Sequence, residues 1–129
     1  MKIPDHFLDL FEKCAFAHLA TLMPDGTPQV TPVWVDYDGT HILVNTALRR
    51  QKERNVRRNP QVAFAISDPD DPYRFMQVRG TVVEITLEGA EAHSHQMQKK
   101  YHGLDIYPNH DPAWPRVILK IRPDHVSGR

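Results

Sequence analysis

Short turns between neighbouring strand-like segments constrain the fold of this chain more than any other feature of its sequence. A Pro-Asp-Gly-Thr turn at residues 24–27 separates residues 15–23 from residues 29–37, and the β-branched and aromatic residues of the second segment favour a strand. An Asp-Gly dipeptide at residues 38–39, typical of tight hairpins, then leads into residues 41–45. Because strands joined by such short turns pair antiparallel, the pattern predicts three consecutive antiparallel strands rather than a β-α-β unit.

The rest of the sequence extends this antiparallel pattern. Three further strands are predicted at residues 61–67, 74–86 and 116–122, and three helices at residues 4–14, 47–58 and 88–101. Gly80, in the middle of the fifth strand, marks a bulge or bend of the kind that lets a sheet curl. We therefore expect an α+β fold, mainly β, in which a six-stranded antiparallel sheet closes into a small barrel flanked by short helices.

Two prolines, Pro28 and Pro32, lie in or beside the second predicted strand. A proline has no backbone N–H and cannot donate a hydrogen bond to a neighbouring strand. This strand is therefore expected to lie at an edge of the sheet, to carry a bulge, or to leave backbone groups available to another molecule.

Length and charge argue against several functional classes. The 129 residues, 40% of them hydrophobic, suffice for one domain, which we expect to span residues 1–129. No apolar run approaches the roughly 20 residues that cross a bilayer, and acidic residues near the N-terminus interrupt any signal-peptide core.

Sixteen basic residues balance sixteen acidic ones, so no net field favours nucleic acid. A single cysteine, Cys14, expected to be buried in the N-terminal helix, fits a reducing compartment. We expect a cytoplasmic protein with neither nucleic acid nor membrane as partner.

A basic segment at residues 49–58 is the strongest polar signal. It holds six basic residues and one acidic residue, a local charge of +5. On a helical wheel, Lys52 lies on the side of Leu48 and Val56, which is expected to face the core. One interpretation is a phosphate site formed by Lys52, Arg50 and the hydroxyl of Thr46 near the N-terminus of the helix. The other is a solvated basic face from which the lysine reaches into water.

Four histidines, His93, His95, His102 and His110, raise the question of a metal site. His93 and His95 are two residues apart on a predicted helix and so point in different directions, and no thiolates support them. We expect no metal. The sequence also contains no Gly-rich phosphate loop and no nucleophile motif, so no catalytic residue is assigned.

The order of elements and several motifs resemble a known family. The sequence resembles the flavin/deazaflavin oxidoreductases, and the likeness extends over about residues 5 to 127. Proteins of that family have the pyridoxamine 5′-phosphate oxidase-like split β-barrel. The matching segments are Ala-His-Leu-Ala-Thr-Leu at 17–22, Asp-Gly-Thr-Pro at 25–28, Thr-Pro-Val-Trp at 31–34, Asn-Thr at 45–46, and the Lys-x-x-Asn-x-x-x-Asn-Pro segment at 52–60.

The resemblance implies a homodimer with two cofactor sites at the subunit interface. The backbone of the second strand would lie along the edge of the flavin or deazaflavin ring, and the end of the third strand with the following helix would hold the cofactor's phosphate. The residues that carry over are Thr31, Pro32 and Val33 for the ring, Asn45, Thr46, Arg50, Gln51 and Lys52 for the phosphate, and Asn55 beside them.

Departures from the family pattern bear on the cofactor and the substrate. Pyridoxamine phosphate oxidases have an arginine where Thr31 stands and an Arg-Lys pair where Gln51-Lys52 stands, so pyridoxamine phosphate is not the expected substrate. The arginine-rich helix resembles the branch that uses coenzyme F420, whose polyglutamate tail Arg54 and Arg57 would meet. The expectation is a reductase that passes hydride from reduced F420 to a small unsaturated or planar organic substrate. The alternatives are an FMN-dependent oxidoreductase and a non-catalytic flavin- or F420-binding module.

Overall fold

The fold of this chain was obtained as a computed structural model, which describes residues 2–104 and 113–129. Within these residues the chain forms seven strands, three α-helices and one short 3-10 helix (Asp5–Phe7). The strands are β1 (Ala17–Leu22), β2 (Pro28–Val33), β3 (Asp36–Tyr37), β4 (Ile42–Ala47), β5 (Gln61–Asp68), β6 (Asp71–Thr86) and β7 (Arg116–Gly128). The helices are α1 (Asp9–Glu12), α2 (Gln51–Arg58) and α3 (Ala90–His102).

All seven strands join one sheet in the order β2-β1-β5-β6-β7-β4-β3, and every neighbouring pair is antiparallel. Val33 near one edge and Val44 near the other belong to the same buried cluster, together with Leu19, Ile66 and Leu119. Residues from opposite edges can share one core only if the sheet curls on itself. The expected fold class, a mainly β antiparallel split barrel flanked by short helices, is thus confirmed.

Curling depends on a bulge at Gly80. The pairing of β6 with β7 shifts register between Arg79 and Gly80, as the sequence predicts. A Cβ built on Gly80 would come within 2.6 Å of the Arg122 carbonyl oxygen and 2.8 Å of the Ile121 side chain. Only glycine allows the two long strands to approach so closely at this bend.

Seven strands form where six are predicted, because the predicted second strand divides. β2 ends at Val33 and pairs with β1, whereas β3 pairs with β4 at the other edge of the sheet. Between them, the Val35 N–H leaves the ladder and donates to the Tyr101 hydroxyl at 3.2 Å. The chain therefore crosses from one edge of the sheet to the other within a few residues.

The helices also differ in extent from the sequence prediction. The predicted N-terminal helix is divided into the 3-10 turn and α1, and it ends before Cys14. Cys14 is exposed, so the expectation that it is buried in a helix is wrong, and its thiol donates to the Lys100 carbonyl oxygen at 3.1 Å. α2 begins at Gln51 rather than at residue 47, because β4 continues to Ala47. None of the helices in the described ranges is long and apolar enough to cross a membrane.

Candidate functional site

A cleft of about 200 Å³ opens where the end of β2, the end of β4 and the first turn of α2 meet. It brings together six of the nine residues that the sequence analysis assigns to the cofactor. They are Pro32, Val33, Asn45, Thr46, Arg50 and Lys52. Phe16, Trp34 and Arg116 complete its lining.

The connection from β4 to α2 sets the basic side chains of the cleft. Arg49 adopts a left-handed conformation with φ of 70°, which is uncommon for a residue other than glycine, and Arg50 is extended. The Arg49 guanidinium donates to the Ala113 carbonyl oxygen at 2.9 Å and lies over the Trp114 ring. These contacts hold the reversal of direction that places Arg50 at the cleft immediately before the helix begins.

Three cationic side chains converge on the cleft: Arg50, Lys52 and Arg116. Burial lowers the pKa of Lys52, and the nearby positive charges of Arg50 and Arg116 lower it further. No acidic side chain of the described part of the chain lines the cleft. A half-buried ammonium group beside two guanidinium groups is unfavourable by itself, and a bound anion would compensate for it. The electrostatics of the cleft therefore suit a phosphate.

A buried amide orients one of these cations. Asn45, on β4, accepts a hydrogen bond at its Oδ1 from Arg116 Nε at 2.8 Å and donates from Nδ2 to the Ala90 carbonyl oxygen at 2.8 Å. Its neighbour Thr46 is also buried. The side chain of Asn45 thus links the cleft to the start of α3 and positions Arg116.

Thr31 supplies a polar atom that lacks a partner. In the described ranges, the Thr31 hydroxyl is the one buried side-chain oxygen or nitrogen that makes no hydrogen bond. Thr31 lies on the same face of β2 as Val33, which lines the cleft. Leaving such a hydroxyl unsatisfied costs about 1–3 kcal/mol. A ligand at the edge of β2 would supply the missing partner, so the donor set fits a cofactor that has both phosphate and ring polar groups.

β2 also presents its backbone to solvent. It is an edge strand that pairs only with β1, as its prolines predict. Pro28 and Pro32 lie opposite Leu22 and His18, at positions of the same parity as Val30. Because prolines can occupy only positions that do not donate to β1, these residues direct their backbone groups outward, and Val30, 59% exposed, supplies the outward N–H.

Two aromatic side chains, Phe16 and Trp34, line the cleft. The Trp34 ring stacks on Tyr101 with centroids 5.2 Å apart and an interplanar angle of 9°. Phe16, 45% exposed, contacts the same tyrosine ring at 5.4 Å. The Tyr101 hydroxyl donates to the Ala15 carbonyl oxygen at 2.6 Å, which anchors the cluster to the chain before β1. A planar ligand would find a fixed aromatic surface here.

Two of the predicted site residues have other roles in the structure. Asn55 is fully buried and donates to the Thr21 hydroxyl at 3.0 Å, which attaches α2 to β1. Gln51 donates to the Asn55 Oδ1 atom at 2.8 Å. Arg58, in the last turn of α2, donates to the Leu22 carbonyl oxygen at 2.7 Å. Neither Gln51 nor Asn55 lines the cleft.

The three of these histidines that the structure describes have different partners. His93 is buried in α3 and contacts Asp36 and Asn45, whereas His102 meets the Trp34 ring edge-on at 5.4 Å. His95 lies 4.0 Å from the Glu91 carboxylate, and His110 is outside the described residues. Among residues 2–104 and 113–129, no three His, Cys, Asp or Glu side chains are grouped as a metal site.

Sequence reasoning missed Arg116 and Phe16 as residues of the cleft. Arg116 reaches the cleft because β7 pairs with β4 in a register that sets Ala47 opposite Arg116. No local pattern marks that pairing across about seventy residues. Phe16 directly precedes β1 and lies between two buried alanines, Ala15 and Ala17, so only its exposure distinguishes it.

Comparisons with known proteins agree with this geometry. Residues 3–129 match the family described as pyridoxamine 5′-phosphate oxidase. A solved structure named F420 reductase is 38% identical, covers 97% of this chain and 98% of its own, and superimposes with a TM-score of 0.83. A conserved hypothetical protein from Mycobacterium tuberculosis is 25% identical over 98% of this chain and 84% of its own, with a TM-score of 0.74.

A more distant structure shares the fold alone. HupZ from Group A Streptococcus is 20% identical, covers 98% of this chain and 93% of its own, and has a TM-score of 0.69. The family match spans nearly all of the chain, and it agrees with the split barrel and with the motifs of the basic helix. The chain therefore belongs to the pyridoxamine 5′-phosphate oxidase family, in its flavin and deazaflavin oxidoreductase group.

Proposed function

We propose that this protein is an oxidoreductase that binds coenzyme F420 and transfers hydride between the reduced cofactor and a small unsaturated or planar organic substrate. The observation that carries the proposal is the cleft of about 200 Å³ that Arg50, Lys52 and Arg116 line together with the end of the edge strand β2. The 38% identity to a protein named F420 reductase, over 97% of this chain, supports the same cofactor.

In this proposal the phosphate end of the cofactor binds among the three cations, and the buried hydroxyl of Thr46 adds a hydrogen bond. Lys52 contributes most, because its half-buried ammonium group is brought into the cleft by the first turn of α2. When bound, the cofactor supplies the hydride chemistry. The chain holds the ring against β2, where the Thr31 hydroxyl and the Val30 N–H are its polar contacts, and Trp34 excludes water from its face.

F420 is favoured over FMN by the arginines further along α2. Arg54 is exposed and its guanidinium donates to Gln51 at 2.6 Å, so it lies within one turn of the cleft. Arg57 pairs with the buried Glu53 at 2.8 Å and keeps half of its side chain exposed. These guanidinium groups suit the carboxylates of a polyglutamate tail, which FMN lacks. FMN remains the alternative that the description of the family supports.

Side-by-side titrations test the choice of cofactor. We expect the protein made in a host without F420 to purify colourless and then to bind F420 more tightly than FMN. Tight binding of FMN with no response to F420 would replace the proposal with the FMN-dependent alternative. Turnover of an electron acceptor with the reduced cofactor separates an enzyme from a non-catalytic binding module.

We also propose that the site is completed by a second copy of the chain. The cleft is smaller than the roughly 300–1,000 Å³ of a typical small-molecule site, and two large apolar side chains are exposed at it or beside it: Phe16, which lines it, and Val30 on the edge strand β2. A second protomer packed on this edge would enlarge and cover the site. Analytical ultracentrifugation is expected to report twice 14.9 kDa at micromolar concentration. A monomer that binds the cofactor with full affinity would contradict this assembly.

A further inference from the structure

A connected polar network, formed by Asp36, His93, Asn45 and Arg116, runs from β3 at one edge of the sheet to the cleft, and its two central members, His93 and Asn45, are buried. His93, 6% exposed in the first half of α3, lies with Nε2 at 3.0 Å from the Asp36 carboxylate on β3 and with Nδ1 at 3.1 Å from Asn45 Nδ2 on β4. Asn45 in turn accepts from Arg116 Nε at 2.8 Å. Arg116 lines the cleft.

The hydrogen-bond partners in this polar network determine the orientation of the Asn45 amide and the tautomer of His93. The Ala90 carbonyl oxygen can only accept and the Arg116 Nε–H can only donate, so Asn45 must direct its Nδ2 toward Ala90 and its Oδ1 toward Arg116. The second Nδ2 hydrogen then points at His93 Nδ1, which must be an unprotonated acceptor. The imidazole proton is therefore on Nε2 and is donated to Asp36.

Asp36, at the β3 end of this polar network, is suited to accept the hydrogen bond from His93. Burial raises the pKa of this carboxyl, but hydrogen bonds from His93 and from the Tyr37 N–H, with the nearby positive charge of Lys100, outweigh that effect and hold the pKa below its ordinary value. Asp36 is thus an ionised acceptor at neutral pH. A carboxylate behind an imidazole fixes both the tautomer and the orientation of the ring.

We propose that His93 is a positioning residue for the phosphate of the cofactor, which it serves by orienting the Asn45 amide and, through it, the Arg116 guanidinium. This inference rests on the proposed function, because it assumes that Arg116 meets a phosphate in the cleft. An Arg side chain has several rotatable bonds, and holding it in one geometry before binding removes an entropic cost of binding. No atom of His93 needs to touch the cofactor.

The test compares ligands that differ only in the phosphate-bearing part. The ratio of dissociation constants for riboflavin and FMN, or for the phosphate-free deazaflavin chromophore and F420, isolates the contribution of that part, and the pair that the wild-type protein binds is used. His93→Phe fills the same space without an acceptor and is expected to lower this ratio about tenfold, which corresponds to about 1.4 kcal/mol. His93→Asn keeps an acceptor near the position of Nδ1 and is expected to restore the ratio to within about threefold of wild type.

One further measurement keeps the inference falsifiable if His93→Phe folds poorly. Nitrogen-15 NMR of the wild-type imidazole is expected to show a protonated Nε2 and an unprotonated Nδ1, and the opposite tautomer would overturn the inference. His95→Phe is the matched control, because His95 lies two residues further along α3 and outside this polar network. It should leave the ratio of dissociation constants unchanged. Equal losses of riboflavin and FMN binding in His93→Phe, or an unchanged ratio, would overturn the role of His93 alone. A wild-type protein that binds neither phosphorylated cofactor would overturn the proposed function as well.

Discussion

Replacing Lys52 with alanine is the most direct perturbation of the cleft. The ammonium group is half-buried, carries a lowered pKa and lies near Arg50 and Arg116. A charge-assisted hydrogen bond to a phosphate contributes roughly 1.5 to 3 kcal/mol. Because about 1.4 kcal/mol is a factor of ten, Lys52→Ala should weaken cofactor binding by about tenfold to a hundredfold.

Removing the charge of Lys52 has an opposite consequence for the stability of the ligand-free protein. The pKa of Lys52 is lower in the folded protein than in the unfolded chain, so the unfolded chain binds this proton more tightly at neutral pH. The charge of Lys52 therefore destabilises the fold below its lowered pKa, and that cost disappears as the pH rises through the window between the folded and unfolded pKa values. Lys52→Met, which keeps most of the side-chain stem, should raise the melting temperature of the ligand-free protein at neutral pH while it weakens binding.

Binding should also depend on pH through Lys52. A bound phosphate favours the protonated lysine, so the affinity of the wild-type protein should fall as the pH rises through the lowered pKa of the free protein. Lys52→Met should lack this decrease. Isothermal titration calorimetry at several alkaline pH values, with the fluorescence of the cofactor as a second signal, measures both effects.

Lys120→Ala is the matched control for this series. It removes one positive charge from a lysine on β7 that lies 3.5 Å from the exposed Glu84 carboxylate, and Lys120 does not line the cleft. The control should change affinity by less than about twofold, since exposed charges contribute little and are screened by salt. Equal, small losses for Lys52→Ala and Lys120→Ala would refute the assignment of the cleft, and the basic segment would then be only a solvated helix face.

Three further predictions concern the frame that holds the site. Gly80→Ala should lower the free energy of unfolding by about 1–3 kcal/mol in urea titrations, because the added methyl group meets the Arg122 carbonyl oxygen at 2.6 Å; an unchanged midpoint would show that the bulge can open. Tyr101→Phe should cost about 1–3 kcal/mol, since it leaves the buried Ala15 carbonyl oxygen and Val35 N–H without partners, and a loss below about 0.5 kcal/mol would mean that water replaces the hydroxyl. Lys13 and Arg74 hold the pKa of Asp68 well below its usual range, so the stabilisation of the fold by this carboxylate is complete above pH about 4 and is lost as the pH falls. Asp68→Asn should therefore flatten the decrease of the melting temperature at acid pH. An unaltered decrease would exclude Asp68 as its source.

The local features of the fold could be read from the sequence because their causes are local. The turns at residues 24–27 and 38–39 appear where Asp and Gly residues favour them, and Gly26 and Gly39 have positive φ values of 85° and 94°. The end of α3 at Gly103 follows from the same conformational freedom of glycine, whereas the bulge at Gly80 follows from its missing side chain, which lets β6 and β7 approach closely. The edge position of β2 follows from its prolines, which cannot donate to a second neighbouring strand.

The division of the second predicted strand could not be read in this way. Residues 34 and 35 have the apolar, β-branched or aromatic character of a strand, and nothing near them in the sequence signals a break. The break occurs because the Tyr101 side chain, from a helix more than sixty residues away, takes the Val35 N–H and stacks on the Trp34 ring. The exposure of Cys14 has a similar origin, since α1 ends at Glu12 and the chain turns toward β1.

By itself, the sequence determined the antiparallel hairpins, the family and six of the residues that line the cleft, because turn chemistry, strand composition and the motif of the basic helix are all encoded within short segments. Only the tertiary structure decided that Arg116 joins Arg50 and Lys52 at the cleft. It also decided that Asn55 attaches α2 to β1 instead of facing the cleft, and that His93 contacts the Asn45 amide. Each of these depends on the register between β4 and β7 or on the packing of a helix against the sheet. Such contacts join residues that are distant in the chain, and their geometry is set by the closure of the whole core rather than by the preference of any one segment.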